Sequence, residues 1–213
     1  MKILILGDNR VFECKPGVTL GKIMDDLNES LKLNKRIIRR VFLDEIELTL
    51  DSLQEKVYQY VSEFEQLTVE SITFGDAAFE MLTRINSTMQ SFEDHLFNTI
   101  EGLKRFSPNA VQMFSEFSDA SAKIFESIEN SLLLMDDIDA DKFVIGEISF
   151  RKLLCDIFEQ YTILKERMEE ESFKDEYNLK RIIEILEGEI APKIATVREF
   201  LAKLIADTQK ENN

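Results

Sequence analysis

The chain has 213 residues, of which 44% are hydrophobic and 31% are charged, and this balance provides a packed core and excludes global disorder. Its formal net charge of −15 disfavours binding to nucleic-acid phosphates or to anionic lipid surfaces. Only 7 glycines and 3 prolines interrupt the chain, so the composition predicts long helices.

The negative charge is concentrated in the C-terminal part. Residues 1–73 carry 10 Lys and Arg against 13 Asp and Glu, whereas residues 74–213 carry 16 against 28, a net charge of −12. A basic protein is therefore the electrostatically permitted partner of this part. The first apolar run is too short for a signal peptide, and no run approaches the roughly 20 residues of a membrane-spanning helix. The sequence predicts a cytoplasmic protein that binds neither membranes nor nucleic acid.

The first third of the chain alternates between strand and helix signals. Ile3-Leu4-Ile5-Leu6 is typical of a buried strand, and the alternation from Arg10 to Lys15 favours a second strand after a Gly-Asp-Asn turn. The remaining predicted elements are a helix from Thr19 to Leu33, strands at 40–43 and 46–48, a helix at 52–64 capped by Asp51, and a closing strand at 66–74.

This order of elements resembles the β-grasp fold of ubiquitin-like, TGS and sulfur-carrier domains. The resemblance rests on KILILGDNRVFECKPGVTLGKIM followed by RRVFLDEIEL, and it covers residues 1–74. No Gly-Gly terminus follows the last strand, so the chemistry that ubiquitin and sulfur carriers perform with a C-terminal carboxylate is not implied. What the resemblance implies is a small protein-binding module.

Four basic residues lie close together in this first domain. They are Lys35, Arg36, Arg39 and Arg40. Such a cluster can bind an acidic partner or the acidic helices of the same chain. The alternative is a solvated sheet edge, where charges discourage pairing between edges.

Residues 75–213 carry four long stripes of apolar residues at helical spacing. Predicted helices run from Gly75 to Phe106, from Pro108 to Met135, from Glu147 to Glu171 and from Lys174 to Gln209, and Pro192 predicts a kink in the last one. In the third helix the stripe runs from Phe150 to Met168 at intervals of four and three. Long helices with short connections predict an all-α antiparallel four-helix bundle with coiled-coil-like seams.

One acidic loop has the spacing of a metal site. Asp137, Asp139 and Asp141 alternate along the chain and are followed by Glu147, which resembles a calcium loop of the EF-hand type. Lys142 stands where that loop has glycine, and the glutamate comes one position early. The alternative is an acidic connection whose aspartates cap the following segment.

The sequence carries no recognisable catalytic motif. His95 is the only histidine, and the residues after it lack the Lys and Gly of two-component phosphotransfer proteins. The leading hypothesis is a non-catalytic interaction protein, namely an adaptor, scaffold or chaperone-like protein, with a β-grasp-like head (1–74) and an acidic helical bundle (75–213). Its partner would be another protein or a second copy of the chain. The alternative is a metal- or ligand-regulated sensor with the loop 137–147 as its switch and calcium as the candidate cofactor.

Overall fold

The computed structural model describes residues 1–7, 10–15, 17–105, 107, 109–135, 144–145, 147–169 and 176–211. It is an α+β protein, with a mixed five-stranded sheet at the N-terminus followed by helices. The chain divides into two compact units, which we call the N-terminal unit (Met1–Ala77) and the helical unit (Ala78–Asn213).

The N-terminal unit is built on one sheet and two helices. Its elements are β1 (Lys2–Leu6), β2 (Arg10–Glu13), α1 (Leu20–Leu33), β3 (Arg36–Leu43), β4 (Ile46–Glu47), α2 (Leu50–Lys56), a 3₁₀ turn (Val61–Glu63) and β5 (Gln66–Thr73). The strand order is β2-β1-β5-β3-β4, with β1 and β5 parallel and the other pairs antiparallel. Alternate residues of β1, β3 and β5 are buried in one core with Leu20, Leu27 and Leu31 of α1.

Two predicted elements of this unit are wrong in their limits. The second helix spans Leu50–Lys56, and its cap is Thr49, whose Oγ1 accepts the N–H of Ser52 at 3.2 Å. The helix stops early because the carbonyl oxygens of Val57 and Gln59 accept N–H groups of α1 at 2.8 and 2.9 Å. The third strand begins at Arg36, four residues earlier than predicted, because it pairs with β5 along almost its whole length.

The helical unit continues from α3 (Phe74–Lys104) through α4 (Ala110–Leu134), a short hairpin of β6 (Val144–Ile145) and β7 (Ile148–Ser149), α5 (Phe150–Glu169), α6 (Glu176–Ile185), a π turn (Leu186–Ile190) and α7 (Ala191–Glu211). The third predicted helix, α5, therefore begins three residues later in the structure than the sequence predicts. Ser149 caps it, since its Oγ accepts the N–H of Lys152 at 3.3 Å, and Glu147 lies in the hairpin turn instead. Within the described residues, no helix has the combined length and apolarity needed to cross a membrane.

Apolar stripes of the helices meet in a single core. It contains the predicted stripe residues Leu82, Met89, Phe92, Leu96 and Ile100 of α3, and Phe150, Leu154, Ile157 and Leu164 of α5. Tyr161, also on the predicted stripe, is partly buried against this core. In the last helical segment, Ile182 is buried where the spacing predicts Ile183.

A π turn replaces α-helix just before Pro192. Buried Ile182, Leu186, Ile190 and Ile194 follow one another at intervals of four. On an α-helix of 3.6 residues per turn, three such intervals rotate a stripe by about 120°. A π turn holds an extra residue, so it offsets most of this rotation. Its defining bond runs from the N–H of Ala191 to the carbonyl of Leu186, and the next residue, Pro192, has no N–H to donate.

Tyr161 makes a buried polar contact between α4 and α5. Its Oη lies 2.7 Å from Oγ of Ser121, which also donates to the carbonyl of Phe117 at 2.7 Å. Burial raises the pKa of Tyr161 well above its ordinary range, and the hydrogen bond with Ser121 opposes this only in part. The phenol is therefore held neutral in the folded protein.

We expect Tyr161→Phe to lower the free energy of unfolding by about 1 kcal/mol at neutral pH through the lost hydrogen bond. The tyrosine of the unfolded chain ionises near pH 10, while the folded one stays protonated. The contribution of Tyr161 to the free energy of unfolding is therefore fully present below about pH 10 and is lost as the pH rises above that value. Urea denaturation from pH 7 to 11 should show the wild type and the variant converging at high pH. Tyr177→Phe is the matched control because that ring is 68% exposed; an equal effect from both substitutions would contradict the prediction.

Candidate functional site

A groove between α3 and α7 is a concave surface of the helical unit. It encloses about 320 Å³. Its lining, which defines what we call the α3–α7 groove, consists of Glu93, Leu96, Phe97, Ile100, Glu187, Ala191 and Ala195. This volume is near the lower end of the range for ligand pockets, and the groove is open along one side.

Helical spacing explains how the groove forms. Leu96 and Ile100 are one turn apart on α3 and are buried, so they form the floor. Ala191 and Ala195 are one turn apart on α7, and their small side chains leave the opposite wall low. Phe97 follows Leu96 directly and therefore points away from the core stripe, with 63% of its surface exposed. The result is an apolar trough with a phenyl ring along one side.

An ion pair lies at each end of the trough. At one end Nη1 of Arg198 donates to Oε2 of Glu93 at 2.6 Å and to Oε1 of Gln90 at 2.9 Å. At the other end Lys104 binds Glu187, and this hydrogen bond raises the pKa of the lysine. The pairs are eleven positions apart on α3, which corresponds to roughly 16 Å along the helix. The trough is thus about three helical turns long, with charges at both limits.

One oxygen of this site lacks a hydrogen bond. Oε1 of Glu93 is buried and finds no donor among the described residues, although the other oxygen of the same carboxylate is bound by Arg198. A buried acceptor without a donor costs about 1–3 kcal/mol, and because this oxygen has almost no accessible surface, a donor from outside cannot reach it unless its surroundings rearrange.

The chemistry of the lining favours binding. Its polar groups are two carboxylates, and each is already held by a cation of a neighbouring helix. The apolar floor, the low wall and the exposed ring together form an apolar surface. Each Å² of it that another apolar side chain buries contributes about 25 cal/mol of binding free energy. The arrangement therefore suits a segment with an apolar stripe and polar flanks.

The basic cluster of the N-terminal unit lies on β3 and is engaged within the sheet. Arg36 donates through Nη2 to the carbonyl of Ser71 at 2.8 Å, while Arg39 reaches Glu70 at 3.2 Å and Arg40 reaches Glu70 at 3.9 Å. A β-bulge between Ile38 and Arg40 sets two consecutive arginines against the same glutamate. Lys35 precedes them at a positive φ of 54°. Partner binding by Lys35, Arg36, Arg39 and Arg40 stays a prediction.

Gly7 makes room for this arginine arrangement. Its φ is +91°, a conformation that favours glycine. A Cβ at this position would lie 2.5 Å from Nη2 of Arg36 and 2.7 Å from the carbonyl oxygen of Ser71. The turn after β1 and the contact between β3 and β5 therefore both depend on the absence of a side chain here.

The proposed calcium loop falls mostly on residues that the structure does not describe. Asp137, Asp139 and Asp141 lie outside the described ranges, and Glu147 is an exposed residue of the β6–β7 turn. Within those ranges, no three His, Cys, Asp or Glu side chains come together as metal ligands. The calcium hypothesis for 137–147 stays a prediction.

His95 lies half-buried at the edge of the aromatic core. Its ring meets Phe117 edge-on at 5.9 Å between centroids. It does not line the α3–α7 groove, although it is two positions after Glu93.

Sequence reasoning missed the groove. Its only signals are an apolar residue, Phe97, next to the core stripe of α3 and a pair of alanines four positions apart near Pro192. Neither signal is meaningful until the fold shows that these two helices are neighbours. In comparisons with known proteins, no protein-family model, no curated protein and no solved structure matched the chain.

Proposed function

We propose that this chain is a non-catalytic protein-interaction protein, of the adaptor, scaffold or chaperone-like kind, and that it holds a segment of another protein in the α3–α7 groove. The single observation that carries the proposal is the apolar trough with the exposed ring of Phe97 on one side and Ala191 and Ala195 on the other. A large exposed aromatic side chain beside a preformed groove is a common anchor of protein interfaces.

The N-terminal unit is, in this proposal, a β-grasp-like domain of the ubiquitin-like kind. Support comes from the initial β1–β2 hairpin, from α1 packed on one face of the sheet, and from the insertion of β5 between β1 and β3. Its role would be that of a second protein-binding module, with Arg36, Arg39 and Arg40 as candidate contacts.

The helical unit is, in this proposal, an antiparallel four-helix bundle. Support comes from contacts between α3 and α4 that pair Phe92 with Phe125 and the region of Gly102 with Met113, as expected of helices that run in opposite senses. Contacts of α3 with the last helical segment pair Glu93 with Arg198 and Lys104 with Glu187, again in opposite senses. A bundle presents its groove on a rigid scaffold, which lowers the entropic cost of binding.

The experiment is site-specific photocrosslinking in the native cell. Phe97 would be replaced by a benzophenone amino acid, which keeps the phenyl ring and adds a photoreactive ketone. Leu133 of α4, which is 79% exposed and lies outside the groove lining, is the control position. We expect discrete protein adducts from position 97 that do not form from position 133.

The adducts from position 97 should disappear when Ala195→Leu fills the groove, because the added side chain occupies the space of the bound segment. Identical adducts from both positions, or none from position 97, would overturn the proposed function.

A further inference from the structure

The α3–α7 groove carries charges as well as an apolar floor, and these charges distinguish one class of occupant from the others. Its lining residues contribute two carboxylates and no cation. The cations at its ends, Lys104 and Arg198, are already bound to Glu187 and Glu93. Asp94 lies beside the lining residues on α3 and adds a further negative charge, whereas Glu101 is paired with Lys104 and Arg105. The local surface is therefore apolar along its length and acidic at its margins.

We propose, on the basis of the proposed function, that the occupant is a basic amphipathic helix of a partner protein. Its apolar stripe would cover Phe97, Ala191 and Ala195, and the lysines or arginines next to that stripe would be attracted by the acidic residues at the margins of the groove. Two observations support this assignment: the trough has the length of about three helical turns, and residues 74–213 have a net charge of −12.

The same charges argue against a second copy of the chain as the occupant. Each copy carries a net charge of −15, so two copies repel each other, whereas a cationic segment is attracted and steered towards the groove. An uncharged apolar segment would cover the floor but would gain nothing from the net charge of −12 on residues 74–213. A helix with basic flanks covers the floor and is also attracted by this negative charge.

Two synthetic helical peptides of about 18 residues test the proposal, because that length covers the trough with a turn to spare at either end. Both carry the same leucine stripe at intervals of three and four residues. One has lysine and arginine on its flanks, and the other has glutamate at the same positions. Binding of each dye-labelled peptide to the full chain is measured by fluorescence anisotropy at low and at moderate salt.

We expect the basic peptide to bind at least about tenfold more tightly than the acidic one, with an affinity that falls as salt rises. Phe97→Ala and Ala195→Leu should each lower the affinity for the basic peptide by about tenfold or more, because the first removes the anchor and the second fills the trough. Glu93→Gln should narrow the preference for the basic peptide. Its matched control is Glu126→Gln on an exposed position of α4, which changes the net charge equally and should have little effect.

Several outcomes would overturn the inference. If both peptides bind the wild type equally and Phe97→Ala abolishes the binding of both, the groove is a docking site that has no preference for a basic partner. Unchanged binding of the basic peptide to Phe97→Ala and Ala195→Leu would show adsorption to acidic surface. If neither peptide binds, this class of partner is excluded. If light scattering detects a dimer of the wild type that dissociates on Phe97→Ala substitution, the groove binds a second copy. In the first and third cases, photocrosslinking from position 97 decides separately whether the proposed function stands.

Discussion

Phe117→Ala should lower the free energy of unfolding of the helical unit by about 3–5 kcal/mol, which is the usual cost of removing a fully buried phenyl ring. Phe117 is 0% exposed and stacks on Phe92 with 4.9 Å between ring centroids. Its ring also meets His95 and Tyr161, so side chains of α3 and α5 would face the resulting cavity. Collapse of the surrounding structure can fill such a cavity only in part, since each neighbour is fixed by its own helix.

The matched control is Phe97→Ala, which removes the same atoms from a side chain that is 63% exposed. Its cost should stay within about 0.5 kcal/mol, because little packing is lost. Urea denaturation followed by far-UV circular dichroism measures both variants. Comparable losses for the two would contradict the position of Phe117 in the core or the exposure of Phe97. The same pair of variants separates stability from binding, since only Phe97→Ala should remove the anchor of the groove.

Deleting one residue should have opposite results at two places in the helical unit. Deletion of Ser87 from α3 rotates every later residue of that helix by about 100° relative to the earlier ones. Met89, Phe92, Leu96 and Ile100 would leave the core together, and they are all buried. Burial of these four side chains contributes about 6–12 kcal/mol, which is as large as the roughly 5–15 kcal/mol that stabilises a typical domain, so cooperative folding of this unit should be lost.

Deletion of Gly188 together with Pro192→Ala should instead leave the helical unit folded. Without Gly188 the stripe of the last segment changes from three successive intervals of four to alternating intervals of four and three, which is the pattern of a continuous α-helix. Replacement of Pro192 restores the N–H that such a helix needs and removes the steric clash of the ring. The π turn would become α-helix, and residues before and after it would keep their core positions.

Thermal unfolding followed by circular dichroism compares the two deletions. We expect a cooperative transition for the Gly188 deletion with Pro192→Ala and none for the helical unit in the Ser87 deletion. Equal damage from both would show that the π turn is not what reconciles the stripe with the helix. The Gly188 deletion should also change the α3–α7 groove, because it moves Glu187 relative to Ala191 and Ala195.

The element pattern of the first domain was readable because period-two alternation and capping residues are local signals. β1, β2 and α1 lie close to their predicted positions, and Thr19 caps α1 by accepting the N–H of Lys22. Limits that depend on pairing were wrong. β3 starts at Arg36 because β5 supplies its hydrogen bonds. α2 ends at Lys56 because the carbonyl oxygens of the residues after it accept hydrogen bonds from N–H groups of α1. Neither partner can be recognised from the segment itself.

In the helical unit, too, the sequence predicts the features with local causes and not those with tertiary causes. The spacing of Leu82, Met89 and Phe92, and of Leu154, Ile157 and Leu164, identified core stripes correctly, since burial follows helical periodicity. Pro192 predicts a kink in the last helix; the structure has a π turn just before it, which keeps the buried stripe of the whole segment in phase. The β6–β7 hairpin before α5 escaped prediction, as strands of two residues leave almost no periodic signal.

What the sequence determined by itself is the α+β class, the order of strands and helices in the N-terminal unit, the core stripes and the strong acidity of residues 74–213, since all of these follow from local composition and period. What only the tertiary structure decided is which faces meet. It sets Phe97 opposite Ala191 and Ala195, places an ion pair at each end of the trough between them and leaves one oxygen of Glu93 without a donor. These residues are nearly a hundred positions apart, so no local pattern brings them together; packing of the stripes does.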